Sequence, residues 1–212
     1  MIINKLNMAS KIHPTVAIEG IDGCGKTTIS ENLARELNGS CLHTPPTEFS
    51  KVKYLFEDNP SLIISRFLYY ASGLHLSYEK ASSLLMKGPV IFDRYTLSTL
   101  LYHEELFAAH NIDFNINKLS EKIFPAPADI NIVLHTPENV ITDRLITRYS
   151  MFDKSLEMDR QFQRLVNQRF LESGAHIIYT TNKSMEQITQ ECITLVKKYC
   201  YNNIAHLIYE YC

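Results

Sequence analysis

Gly20-Ile21-Asp22-Gly23-Cys24-Gly25-Lys26-Thr27-Thr28 is the stretch on which the rest of the chain is organised. Its spacing is G-x-x-x-x-G-K-[ST], with Gly20, Gly25, Lys26 and Thr27 in the fixed places. Glycines there let the backbone wrap closely around a polyphosphate, so that successive amide N–H groups point at its oxygens. Lys26 would then reach the β- and γ-phosphates of a nucleotide such as ATP, and Thr27 would hold Mg²⁺ through its hydroxyl. Thr15-Val16-Ala17-Ile18, just before, is apolar and β-prone. Ile29 to Leu37, just after, puts apolar residues at 29, 33, 34 and 37, which is helical spacing. A strand, a glycine loop and a helix in that order bring a helix N-terminus, with its positive dipole end, to the bound phosphates.

The 212 residues are 45% hydrophobic and 21% charged, enough for one globular domain with an ample core. A net charge of −2 argues against a general nucleic-acid or membrane-surface binder, for which a basic excess is expected. Cysteines stand at 24, 41, 192, 200 and 212, with no C-x-x-C pair and one inside the glycine loop. That usage points to a reduced, cytoplasmic protein and away from a disulfide framework or a zinc site. No apolar run approaches the ~20 residues that span a bilayer. Residues 1–14 lack the apolar core of a secretory signal and are expected to be a short N-terminal extension.

Along the chain, strands alternate with helices. Strands are expected at 15–19, 40–44, 89–93, 129–134 and 176–180. Helical stretches are expected at 29–37, 61–86, 96–110, 137–147, 156–172 and 184–199. The segments 89–93 and 129–134 are apolar almost throughout, as in a buried parallel sheet. Such alternation implies a parallel sheet covered by helices on both faces. Without repeats, low-complexity runs or linkers, residues 1–212 are expected to form a single domain.

Phe92-Asp93-Arg94-Tyr95 ends the third strand. Ligands on open α/β sheets bind beyond the carboxyl ends of the strands, so Asp93 and Arg94 should project towards the glycine loop. A carboxylate there can organise Mg²⁺ and its waters, and an arginine can grip a second phosphate in a bidentate fork.

With these residues in view, the chain resembles the thymidylate kinase family of nucleoside monophosphate kinases. The resemblance runs over roughly residues 15 to 196. It rests on Ile18 to Thr28, on Asp93-Arg94-Tyr95 with Ser98 and Tyr102, on Pro127-Ala128-Asp129 leading into Thr136-Pro137-Glu138, and on the stretches 143–154 and 162–170. It implies an α/β, three-layer P-loop NTPase fold with a parallel five-stranded sheet, helices on both faces and a short mobile lid at about 143–156. It implies that Gly20, Gly23, Cys24, Gly25, Lys26, Thr27 and Thr28 hold ATP, and that Thr27 and Asp93 serve the metal. Asp22 would contact the acceptor sugar's 3′-hydroxyl and Arg94 the acceptor's 5′-phosphate. Tyr102 would pack on the sugar's 2′ side, with Ser98 beside it. Because Gly23 follows Asp22, the additional catalytic cation would come from the lid: Arg144 or Arg148, with Lys154 behind them.

The same resemblance places Tyr69 where an aromatic stacks on the acceptor base and Gly73 where an arginine faces the base edge. Arg66 and His75 are nearby but out of register. A glycine there implies relaxed base selection, in volume left free for another base. His135 and Asp153-Lys154 are further departures from the family pattern. The implied reaction is transfer of the ATP γ-phosphate to a deoxynucleoside monophosphate, dTMP first, then another or a modified pyrimidine nucleotide. A deoxynucleoside kinase is the alternative enzyme, and a non-catalytic nucleotide-binding regulator is the alternative of another class. Residues 201–212 are expected to form a C-terminal extension that packs on the body or mediates a homodimer.

Overall fold

The computed structural model describes residues 13–57, 61–148 and 159–210, with 147–148 and 203–210 described by their backbone alone. At its centre lies β1 (Thr15–Glu19), all five residues of which are buried. Around it a five-stranded sheet runs in the order β2-β3-β1-β4-β5, with β2 Ser40–His43, β3 Val90–Asp93, β4 Ile130–His135 and β5 His176–Tyr179. Every pairing is parallel. Hydrophobicity explains why: β1 and β3 expose no residue on either face, and only a helix-covered parallel sheet offers strands such a place.

Side chains alternate across the sheet and so feed two cores. Val16 and Ile18 of β1 join α1 (Lys26–Glu36) and α8 (Met185–Glu210) through Ile29, Leu33, Ile188 and Cys192. Ala17, between them, faces Leu74 of α3 (Ile63–Leu84) and Phe92 on the opposite side. That second face is completed by α4 (Thr96–Ala109) and α7 (Arg160–Glu172), where Phe67, Leu101, Phe107, Val166 and Phe170 pack together. The α/β architecture read from the sequence is therefore present, with helices on both faces. A reciprocal tie fastens β1 to the start of β4: the Thr15 amide and hydroxyl each donate to Asp129 Oδ2 at 2.7 Å, and the Asp129 amide donates back to the Thr15 hydroxyl at 2.9 Å.

Three differences from the sequence reading have physical reasons. Two short helices, α2 (Ser50–Glu57) and α5 (Ile116–Ile123), went unanticipated. α2 spans only eight residues, and its apolar Val52 and Leu55 stay exposed, so no core contact marks it. α5 is capped by the Asn115 side chain, which accepts from the Lys118 amide at 2.9 Å. Finally, α8 continues to Glu210 instead of stopping at Tyr199, since no glycine or proline interrupts 185–210. As far as Glu210, then, the expected C-terminal extension is the end of a helix. α6 (Glu138–Arg148) begins the expected lid, whose remainder to 156 lies outside the described residues.

Candidate active site

The glycine loop leaves the carboxyl end of β1 and enters α1 at Lys26. Gly20 takes φ 134°, and a Cβ there would stand 2.7 Å from the Leu134 carbonyl oxygen, so the β1–β4 contact admits no side chain. Lys26 is buried, and its Nζ donates to the Ile21 carbonyl at 2.7 Å, with Cys24 Sγ 3.8 Å away. A lysine folded over its own loop in this way surrounds the space a phosphate would take with donors. Behind the loop, the Thr136 hydroxyl donates to the Cys24 carbonyl at 3.3 Å and fixes its outer turn.

Register across the sheet brings the second group of residues alongside. Ile18 is level with Asp93, and Asp93 with His43. Asp93 Oδ2 accepts from the Thr27 hydroxyl at 2.7 Å and pairs with His43 Nδ1 at 2.9 Å. Burial raises the Asp93 pKa, but His43, Thr27 and the Lys26 charge outweigh it and hold the carboxyl below its ordinary range. The contact with Asp93 in turn raises His43 above the usual imidazole value.

Arg94 has φ 64°, the left-handed region that a non-glycine residue seldom occupies. From this backbone its guanidinium reaches back to the Gly20 carbonyl at 3.0 Å and the Ser98 hydroxyl at 3.3 Å, and pairs with Asp22. Asp22 also accepts from the Tyr102 hydroxyl at 3.0 Å, and the Arg94 guanidinium lies 5.3 Å from the Tyr102 ring centre. Burial works against the charge of Asp22, but Arg94 and Lys26 dominate and its carboxyl is far more acidic than usual. Beneath the pair, Glu19 accepts from the Tyr95 amide at 3.0 Å and from the Ser98 hydroxyl. Its complete burial raises its pKa against those hydrogen bonds and the Arg94 charge. Glu19 thus fastens the end of β1 to the start of α4 and fixes the turn that carries Arg94.

These groups line one cavity of about 680 Å³, within the range of small-molecule sites. Asp22, Gly23, Gly25, Lys26, Thr27, Thr28, Asp93, Arg94, Ser98, Tyr69, Tyr102 and Arg144 all lie on its wall. Arg144, from α6, donates to the Gly23 carbonyl at 2.9 Å and so touches the glycine loop directly. Gly20 and Cys24 sit behind the wall and shape the loop. The side chain of Arg148 and all of Lys154 lie outside the described residues.

The expectation for Gly73 is corrected. Gly73 does not line the cavity, and a Cβ on it would lie 2.6 Å from Pro45 Cβ and 3.1 Å from Pro45 Cα. The volume freed by the missing side chain is filled by Pro45, and the glycine serves a close helix–loop contact. Tyr69 does line the cavity, but its hydroxyl donates to the Phe49 carbonyl at 3.0 Å and its ring stacks on Phe56 at 4.9 Å. Glu19, His43, Glu57, Arg66 and His103 were not assigned from the sequence. His43 was accessible to that reading, since it ends strand β2 on the side of the sheet where ligands bind. The others depend on pairings across the fold.

A sequence model of the thymidylate kinase family matches residues 18–193. A probable thymidylate kinase of Archaeoglobus fulgidus is 27% identical over 206 residues, spanning 87% of this chain and 95% of the relative. Among solved structures, a thymidylate kinase from Candida albicans superposes with a TM-score of 0.68 at 21% identity, covering 88% of this chain and 92% of that one. A deoxyadenosine kinase from M. mycoides gives a TM-score of 0.66 at 17% identity, covering 87% and 99%, so nucleotide and nucleoside kinases share this fold. The loop, the Asp93–Arg94 strand end and the family match agree: the chain is an enzyme of the thymidylate kinase family, the nucleoside monophosphate kinases that use ATP as phosphate donor.

Proposed function

We propose that this enzyme transfers the γ-phosphate of ATP to a deoxynucleoside 5′-monophosphate, with dTMP as the leading acceptor. The observation that carries the reading is Arg94, held on a left-handed backbone and locked by Asp22 and the Gly20 carbonyl at the wall of the cavity that Lys26 also lines. A guanidinium fixed beside a phosphate loop suits an acceptor that brings its own phosphate. Lys26 exchanges the Ile21 carbonyl for the β- and γ-phosphate oxygens of ATP, and Arg144 leaves the Gly23 carbonyl to meet the transferred group. Asp22 orients the acceptor sugar, and Tyr102 packs beside it. In-line transfer needs this positioning and positive charge more than any covalent intermediate.

The Thr27 hydroxyl and the Asp93 carboxylate, 2.7 Å apart, are hard oxygen groups of the kind that suit Mg²⁺. When bound, that ion supplies positive charge at the donor phosphates. The expected lid would close over ATP from α6 and exclude water as a competing acceptor. We further propose one cytoplasmic kinase domain acting on free nucleotides, without nucleic-acid or membrane partners, as a homodimer.

A coupled ATPase assay over deoxynucleosides and their monophosphates tests the reading. Steady turnover with dTMP is expected. Preference for free deoxynucleosides would make the enzyme a nucleoside kinase, and ATP binding without turnover on any acceptor would make it a regulator.

A further inference from the structure

His43 ends the edge strand β2, lines the cavity and leaves 45% of its side chain exposed. Its Nδ1 stands 2.9 Å from Asp93 Oδ2, the same oxygen that accepts the Thr27 hydroxyl at 2.7 Å. One buried carboxylate oxygen therefore meets two donors, one from α1 and one from β2. The Asp93 carboxyl is held below its ordinary range and is ionised, so it only accepts, and His43 Nδ1 must carry a proton. That holds for the neutral ring in its Nδ1–H tautomer and for the charged ring alike. The Thr27 hydroxyl directs its hydrogen at Asp93 and turns its lone pairs elsewhere.

The strand pairing does not need this contact. His43 is already level with Asp93 in the parallel β2–β3 register, and the Thr44 amide extends the pairing by donating to the Asp93 carbonyl at 3.2 Å. A half-exposed pair also adds little to stability. What the imidazole does fix is which oxygen of Asp93 is occupied. Hydrogen bonds to a carboxylate at a metal site set its orientation, and removing such a partner typically weakens metal binding about 10–100-fold.

We propose that His43 is a positioning residue for the nucleotide-bound metal ion. Together with Thr27 it holds Asp93 Oδ2, which commits Oδ1 to the ion or its water and the Thr27 lone pairs to the ion itself. The inference rests on Thr27 and Asp93 being the metal pair. His43 acts through Asp93 and not on the reacting phosphoryl group. Sheet register makes the arrangement possible: Ile18 and His43 are both level with Asp93, so β1, β3 and β2 end side by side on the glycine loop, the carboxylate and the imidazole.

The test uses the whole enzyme and three substitutions that separate the two ring nitrogens. In His43→Asn the amide N–H₂ falls close to the place of Nδ1, in His43→Gln close to that of Nε2, and His43→Phe has neither donor. Binding of the ATP analogue AMP-PNP is measured by calorimetry in EDTA and over a series of free Mg²⁺ concentrations. Wild type should bind the analogue more tightly with Mg²⁺. His43→Phe should raise the Mg²⁺ concentration that half-saturates this gain at least about tenfold, while affinity in EDTA stays within about twofold of wild type. His43→Asn should regain most of the wild-type behaviour, and His43→Gln should resemble His43→Phe. An unchanged Mg²⁺ requirement in folded His43→Phe, an equally large loss of affinity in EDTA, or equal behaviour of His43→Asn and His43→Gln would overturn the proposal. So would a ¹⁵N-histidine spectrum of the wild type in which His43 Nδ1 lacks its proton, a measurement that needs no variant to fold. A wild type that binds the analogue equally well with and without Mg²⁺ would instead defeat the reading of Thr27 and Asp93 as the metal pair, and the inference with it.

Discussion

At the scale of single residues, the site is built from charges that restrain one another. Lys26, Arg94 and Arg144 each donate to a backbone carbonyl of the glycine loop, at Ile21, Gly20 and Gly23 respectively. These bonds keep the three cations near the place where phosphates bind, and each can be exchanged for a phosphate oxygen. Lys26→Ala removes a preorganised donor, so kcat should fall by at least ~100-fold while the far-UV spectrum is unchanged. Turnover within a few-fold of wild type would mean that another group supplies that charge. Arg94 calls for a gentler substitution, because removing its charge would strand the buried Asp22 carboxylate. Arg94→Lys keeps a cation beside Asp22 but loses the planar fork, and KM for the acceptor should rise about tenfold with KM for ATP little altered. An unchanged acceptor KM would show that the acceptor phosphate is held elsewhere.

Among the elements, those with a strong local pattern were legible in the sequence. β1, the glycine loop and α1 follow from spacing alone, and β3 and β4 from apolar runs that only a buried strand accommodates. α2 and α5 were not legible because eight residues each, the second opening on an Asn cap, carry too few turns to establish a period. Within the site, Lys26, Thr27, Asp93 and Arg94 were found because motif and strand end are local. The pairs that join distant segments were not: His43 with Asp93, and Gly73 with Pro45. The last shows how a missing contact can mislead. Alignment on the base-reading helix suggests that the glycine frees space, whereas the loop after β2 fills it. Since Pro45 is a rigid ring and the approach is 2.6 Å, Gly73→Ala should destabilise the protein by about 1–3 kcal/mol despite alanine's better helix propensity. Chemical denaturation would read this as a lower midpoint at constant slope. An equal or raised midpoint would mean that the β2–α2 loop yields easily. Gly73→Arg should be worse, and is no route to tighter thymine selection.

For the whole molecule, the decisive feature is how the helical layer over β1 and β3 buries ionisable groups where strands end. Glu19 is completely buried under Arg94 and Ser98, and His103 is 2% exposed between α3 and α4. Such groups couple global stability to pH. His103 gives the cleanest case because its window is apart from that of the carboxylates. Burial holds its folded pKa down to about 3, against 6.5 in the unfolded chain. Below pH 6.5 the unfolded chain takes up a proton that the folded protein refuses, so ν_U exceeds ν_N and stability falls as the solution is acidified. The stability associated with neutral His103 is therefore complete above pH 6.5 and is lost progressively towards pH 3. Between pH 6.5 and 4.5, before most carboxylates titrate, the loss should approach about 1.4 kcal/mol per pH unit. His43 does not mimic this, because its raised pKa makes it a proton acceptor in the fold, with its own effect above pH 6.5. His103→Gln keeps a polar side chain that cannot ionise. Its unfolding free energy, measured by urea titration at half-unit steps, should vary less steeply than that of the wild type over the same window, and the two curves should converge as the pH falls. Parallel curves would mean that His103 takes its proton inside the fold at an ordinary pKa, through an opening of the α3–α4 contact that lets water reach Nε2.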